Sequence, residues 1–286
     1  MNPLVNDLVQ QIALERQSDN VFLGQSTDVL GVQVYGGQVL GQAVSAASQT
    51  VDGRLVHSLH AYFLRPGDSN APITYEVDRS RDGGSFSSRR VVAMQHGQQI
   101  FHMSASFHTR QEGLVHQFTM PQVQGPEGLP GFTSTQNKPG EEQTEEMQRP
   151  ASIKRPIEVR AVPNPSSDPN VSALWFRLNG DIPEDEVINR SLLAYCSDFA
   201  FISGAFKPHG LRFRGDTIKV ASIDHAMWFH RTVRVKDWHL HLIDSPNAID
   251  ARGLVRGSIY SRDGRLVAST AQEGLIKVKP KAGNAS

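Results

Sequence analysis

Residues 252–274, RGLVRGSIYSRDGRLVASTAQEG, decide the fold. They read as a β-prone run, a turn at Arg262-Asp263-Gly264, and a second β-prone run. An Asp-Gly pair between two apolar runs is a strong hairpin signal, because glycine readily takes the positive φ that such turns demand. The same outline occurs earlier. Residues 90–107, RVVAMQHGQQIFHMSASF, are a run, a turn at Gln95-His96-Gly97 and another run. The turn glycines Gly97 and Gly264 are 167 residues apart. A second match sets His60-Ala61-Tyr62-Phe63-Leu64-Arg65 against His225-Ala226-Met227-Trp228-Phe229-His230-Arg231, with an offset of 165 from His60 to His225. Two independent matches at nearly one offset mark an internal repeat.

Each half also carries a helix ahead of its first long strand. In the first half it is Gly37 to Thr50, GQVLGQAVSAASQT, and in the second Asn189 to Ile202, NRSLLAYCSDFAFI. Neither has a clean polar face, and a helix apolar nearly all round is a buried one. The economical structure is an antiparallel sheet wrapped around a central helix, made twice, with the two units side by side to bury remaining edges. Between them, from Pro121 to Pro150, the chain is rich in Pro, Gly, Gln and Glu and poor in β-branched residues. Such a composition buries too little apolar surface to offset the entropy of ordering, so it reads as a linker. The expected division is residues 10–120, a linker at 121–154, and residues 155–280. The first 17 residues read as a short amphipathic helix, not as a signal peptide.

The bulk properties narrow the function. Lys plus Arg and Asp plus Glu both total 29, which argues against a dedicated nucleic-acid binder. No segment approaches the roughly 20 apolar residues needed to span a bilayer. Cys196 is the single cysteine, so no disulfide can staple the chain, and its simplest role is that of a small buried hydrophobe. The C-terminal Asn284-Ala285-Ser286 is not a peroxisomal tripeptide. A cytoplasmic protein is expected. No CxxC pair or HExxH segment is present, so neither a metal nor a cofactor is expected.

At this point several runs resemble one family. Residues 223–231, IDHAMWFHR, are similar to the signature of the type II acyl-CoA thioesterases, the TesB-like family. So are Val34-Tyr35-Gly36-Gly37-Gln38-Val39, residues 60–67 (HAYFLRPG), residues 85–91 (SFSSRRV) and Gln272-Glu273-Gly274, in family order. The resemblance runs from about Gly24 to Val278, with a departure in the linker. It implies an α+β double hot-dog fold, two repeats each of an antiparallel sheet around a central helix. It also implies a hydrolase for fatty acyl-CoA. Hot-dog units leave sheet edges and faces uncovered, so a homo-oligomer, dimer or tetramer, is expected.

Asp198 stands out without any family knowledge. It is the one charged residue between Arg190 and Lys207, in the run SLLAYCSDFAFISGAF. A buried carboxylate costs several kcal/mol unless it is hydrogen-bonded, so it needs partners, either for chemistry or for binding backbone amides. The first-half helix carries no charge from Gly36 to Val51, which suggests that chemistry resides in one half. In the resembling family an Asp on the helix, a Thr or Ser on the strand before the Asp-His signature, and a Gln near the C-terminal strand orient a water. The matching positions are Asp198, Ser222 and Gln272. Bacterial members typically carry Thr at the middle position, so Ser222 is a departure that keeps the hydroxyl.

The roles follow from chemistry. Asp198 would take a proton from water attacking the thioester carbonyl. Ser222 and Gln272 would hold that water, and a backbone N–H at a helix would take the developing oxyanion. No covalent acyl-enzyme is required. His225 is the tempting alternative, but strict alternation places it on the face opposite Ser222, where a strand histidine is more often structural; His57, His60 and His230 take the same discount. Arg65, Arg79, Arg81, Arg89 and Arg90 make one half locally basic, either as contacts for coenzyme A phosphates or as a solvated strand edge. Two other functions compete. A hot-dog hydratase would pair an Asp with a His a few residues on, and the first His after Asp198 is His209. An acyl-CoA binding module without activity would not need Asp198, Ser222 and Gln272 together.

Overall fold

The computed structural model describes residues 2–27, 33–131, 155–211 and 218–278. The greater part of the expected linker, residues 132–154, and the last two residues of the second unit lie outside the described residues. The first half contains α1 (Pro3–Ile12), β1 (Glu15–Arg16), β2 (Val21–Gly24), α2 (Gly36–Ser48), β3 (Leu55–Phe63), β4 (Ile73–Asp82), β5 (Phe86–Gln95) and β6 (Gln98–His108). The second contains β7 (Ile157–Val162), β8 (Val171–Leu178), α3 (Glu186–Ser197), α4 (Ser203–Phe206), β9 (Ile218–Ser222), β10 (Asp224–Phe229), β11 (His239–Ile249), β12 (Arg252–Ser261) and β13 (Leu266–Val278).

The hairpins form where the turn residues call for them. His96 and Gly97 have φ of 50° and 71°, and Gly264 has φ of 85°. The strands form one antiparallel sheet in the order β1-β2-β4-β5-β6-β3-β10-β13-β12-β11-β8-β7, with β9 added on β13. That order is a palindrome under the repeat: β3 answers to β10, β6 to β13, β5 to β12 and β4 to β11. The halves meet at β3 and β10, where His60 pairs with Ala226 and Ala61 with His225. Because His60 and His225 are repeat partners, as are Ala61 and Ala226, these two pairs exchange under a local twofold axis. This is the double hot-dog expected from the repeat. Short strands ahead of each helix, β2 in one half and β7 and β8 in the other, extend the sheet beyond the helix-then-meander reading.

Both central helices are buried, as their lack of a polar face requires. Every α2 residue from Gly37 to Ala47 is buried, as is every α3 residue from Asn189 to Ser197. Leu40, Val44, Leu192 and Leu193 have no accessible surface, and each such side chain contributes about 1.5–3 kcal/mol relative to an exposed one. The helices run antiparallel and approach closely through glycine. A Cβ on Gly37 would stand 2.4 Å from the Tyr195 carbonyl, and one on Gly41 would stand 2.8 Å from that of Ser191. The N-terminal segment is the amphipathic helix expected. α1 starts at an Asn2 cap and buries Val5, Leu8 and Ile12.

The first third of the expected linker does more than its composition promises. Leu129 is buried, and with Met120 and Val123 it joins a small cluster with Trp175, Trp238 and Tyr260 outside the main core. Trp175 Nε1 donates to the Gln124 carbonyl at 2.8 Å, and Arg160 donates to the carbonyls of Pro126 and Leu129. A few apolar anchors and backbone carbonyls suffice to lay this segment against the second half.

Candidate active site

Asp198 lies at the end of α3, as its C-cap, and not inside the helix. A carboxylate there faces the negative end of its own helix dipole, an unfavourable place. The other half supplies the compensation. The N-terminus of α2 points at Asp198, and the Gly37 N–H donates to its carboxylate. A Cβ on Gly36 would stand 2.9 Å from Asp198 Oδ2 and 3.2 Å from the ring of Phe63, so glycine here leaves the carboxylate undisplaced. Two helix ends of opposite sign therefore meet at one carboxylate.

Gln272 and Ser222 complete the cluster. The Gln272 side-chain amide donates to Asp198 Oδ1 at 2.9 Å and to Ser222 Oγ at 2.6 Å. Gln272 faces inward from the middle of β13 and is buried, while Ser222, ending β9, is half-buried. Asp198 is half-buried by accessible area, yet the surrounding atoms are dense enough for burial to raise its pKa above the ordinary value; the bonds from Gln272 and Gly37 pull the other way. A carboxylate with a raised pKa is the better proton acceptor. The three residues singled out in the sequence thus stand in one hydrogen-bonded group.

The strand that carries Ser222 departs from strict alternation. Gly274 of β13 pairs with Ser222, whereas Ala271 pairs with Ala226. Three steps along β13 therefore face four along the opposing chain, which is a β-bulge. Ile223 fills the break, donating to the Glu273 carbonyl and accepting from the Phe63 N–H, both at 2.9 Å. The carboxylate of Asp224 accepts the Glu273 N–H at 2.6 Å, so it replaces a missing ladder bond. The bulge reverses the phase of the strand. His225 consequently faces inward on the same side as Ser222, not on the opposite face, and it is fully buried. Its Nε2 lies 3.0 Å from Ser197 Oγ, and burial lowers its pKa to about 4.

Other candidates resolve differently. Cys196 is buried, and burial pushes its thiol pKa well up, so it is a poor nucleophile. His60 is exposed and stacks edge-on against Trp228, while His57 bonds Ser106 Oγ at 2.8 Å and His230 bonds Ser269 Oγ at 2.9 Å. Arg89, one of the arginines considered for phosphate binding, is only 2 % exposed. Its donors go to Thr50, Ser88, Arg81 and Asp82, so it holds strand ends together. Tyr35, Gly36, Gly37 and Phe63 were legible only as part of a resemblance, and a Gly-Gly pair opening an uncharged helix was the one local signal that this helix end approaches another group.

The two-unit fold thus brings one carboxylate, one hydroxyl and one amide together where the helix end of the other half approaches. Two family models match the chain: the acyl-CoA thioesterase model over residues 148–275, and the acyl-CoA thioesterase N-terminal domain over residues 25–108. Acyl-CoA thioesterase 2 of Haemophilus influenzae is 44% identical over 283 residues, covering 97% of this chain and 99% of that protein. Human acyl-coenzyme A thioesterase 8 is 38% identical, covering 94% and 88%. The crystal structure of acyl-CoA thioesterase II TesB2 from Mycobacterium marinum superposes with a TM-score of 0.79 at 37% identity, covering 96% of this chain and 99% of that one. The chain belongs to the acyl-CoA thioesterase family.

Proposed function

We propose that this thioester hydrolase acts on acyl-CoA and adds a water held and deprotonated by Asp198, Ser222 and Gln272. The observation that carries the reading is the bond pair from one amide, Gln272 Nε2 to Asp198 Oδ1 and to Ser222 Oγ. It sets a proton acceptor and a hydroxyl around one point. Water bound there gives its proton to Asp198 as its oxygen attacks the thioester carbonyl. Ser222 holds it in attack geometry and Gln272 fixes Asp198 and Ser222 around it, so that ordering entropy is lost before the chemical step. The first turn of α2 sets the positive end of a helix dipole beside Asp198, suited to the developing oxyanion. Collapse of the tetrahedral intermediate breaks the C–S bond. Coenzyme A thiolate is a good leaving group, so no strong general acid is demanded.

In this reading the units are residues 10–120 and 155–280, with the catalytic side chains in the second and the opposing helix end in the first. Self-association and a cytoplasmic setting, both expected from the sequence, belong to the same reading. Among the described residues, no helix is long and apolar enough to cross a membrane. The test is a thiol-release assay on acyl-CoAs of graded length with Asp198→Ala, Ser222→Ala, Gln272→Ala and the triple variant. Residues acting on one water give a triple variant little worse than the worst single one. Three losses that multiply fully would contradict the shared-water scheme.

A further inference from the structure

We infer that His225 is a positioning residue for Gln272: its Nδ1–H donates to Gln272 Oε1 and locks the amide with its NH2 group toward Asp198 and Ser222. The inference rests on the role given to Gln272 above. The register supports it first. Ala226 pairs with Ala271, and one step further along the same pairing sets His225 opposite Gln272. Directly opposed residues have Cβ atoms about 5 Å apart. Past the bulge both side chains face inward, with exposures of 0% for His225 and 1% for Gln272.

Donor and acceptor counts support it next. The Gln272 amide nitrogen spends its donors on Asp198 and Ser222. Its Oε1 is buried and has no partner within hydrogen-bond geometry among the described residues, and the same holds for His225 Nδ1. A buried donor or acceptor left without a partner is destabilising. The two atoms belong to directly opposed cross-strand neighbours that both face inward. The side chain of Gln272 is close enough to raise the imidazole pKa against the effect of burial. A neutral imidazole has one N–H. With the proton on Nδ1, Nε2 accepts the single hydroxyl proton of Ser197, 3.0 Å away, which then turns from its other acceptor, the Ala194 carbonyl at 2.9 Å. Every polar atom of the chain Ser197–His225–Gln272–Asp198 is then satisfied. His241, the other buried imidazole nearby, lies 3.2 Å from Thr270 Oγ1 instead.

The lock has a catalytic purpose. While Asp198 is ionised, its charge alone keeps the NH2 group of Gln272 turned toward it. Once Asp198 has taken the proton from water, a carboxylic acid can equally donate to an amide oxygen, and that preference disappears. A donor behind Gln272 holds the amide whichever state Asp198 is in.

Substitution and spectroscopy test this together. Asn at position 225 sets an amide nitrogen near the place of Nδ1, Gln sets one near the place of Nε2, and Phe keeps the ring without donors. His225→Phe and His225→Gln are expected to lose about tenfold to a hundredfold in kcat, the cost of a misplaced catalytic group. KM should stay nearly constant, because substrate binding is untouched. His225→Asn is expected to recover most of the loss. In nitrogen-15 NMR, the imidazole signal that His225→Asn removes should have the pattern of the Nδ1–H tautomer. An Nε2–H tautomer, equal rescue by Asn and Gln, or wild-type kcat in His225→Phe would each overturn the inference. If the Phe variant does not fold, the Asn and Gln pair and the tautomer decide. Full turnover in Asp198→Asn would instead overturn the base assignment and leave the tautomer result standing.

Discussion

Replacing Asp198 by Asn removes the proposed proton acceptor and little else. The amide has nearly the volume of the carboxylate and can still accept one hydrogen bond, from Gln272 or from the Gly37 N–H. It cannot take a proton from water at neutral pH. Loss of one positioned general base costs about two to four orders of magnitude in turnover, which corresponds to about 2.7–5.5 kcal/mol on the barrier. Stability should move the other way. Burial raises the Asp198 pKa above its unfolded value, so the folded state binds this proton more tightly than the unfolded chain does. The stability tied to Asp198 is therefore greatest at acid pH and falls as pH rises through the raised pKa. Near pH 7 the ionised carboxylate is a net burden, and a neutral amide relieves it. Against that, one donor loses its acceptor, at about 0.5–1.5 kcal/mol. The melting temperature is expected to hold or rise. The assay is thiol release per folded active site, beside a thermal melt of the same sample. A lowered melting temperature with near-normal turnover in the folded fraction would make Asp198 a structural carboxylate and remove it from the mechanism.

Further outcomes follow from the same geometry. The rate should fall in acid with a single-proton slope whose midpoint lies above the ordinary aspartate value of 3.8, because the base must be ionised and its pKa is raised; a pH profile of kcat/KM checks this, and a midpoint below that value would contradict it. Gly37→Ala drives a methyl to 2.4 Å from the Tyr195 carbonyl and is expected to destabilise by about 1–3 kcal/mol, measured by denaturant titration. Cys196→Ala should retain most hydrolytic activity, and brief exposure to radiolabelled acyl-CoA should leave no acyl group on the protein. Arg89→Ala orphans the buried carbonyl of Thr50 and should lower stability by about 1–3 kcal/mol, while the folded fraction keeps a normal KM; a KM raised many-fold would restore Arg89 as a substrate contact.

Much of this molecule was legible in its residues. The repeat could be read because both halves keep the same turn chemistry, glycine at a positive φ between β-prone runs, and turn chemistry is local. The buried helices could be read because a helix with no polar face has nowhere to go but inside. Asp198 could be read because a lone charge in an apolar run is costly without partners. Nothing local could show those partners. The N-terminus of α2 reaches Asp198 from about 160 residues away, and only the packing of the two helices through Gly37 and Gly41 brings it there. The sense of the Ser222 strand was also out of reach. Alternation assumes an unbroken ladder, and the extra residue at the bulge exists only relative to β13. That one residue moved His225 from the far face to the side of Gln272. Arg89 likewise belonged to a basic patch in the sequence, and tertiary structure turned it inward because Thr50, Arg81 and Asp82 offered its donors acceptors that no window of sequence places together. Local periodicity and composition determine which elements form and which are buried; which polar groups meet depends on long-range register, and that is settled only when the halves close on each other.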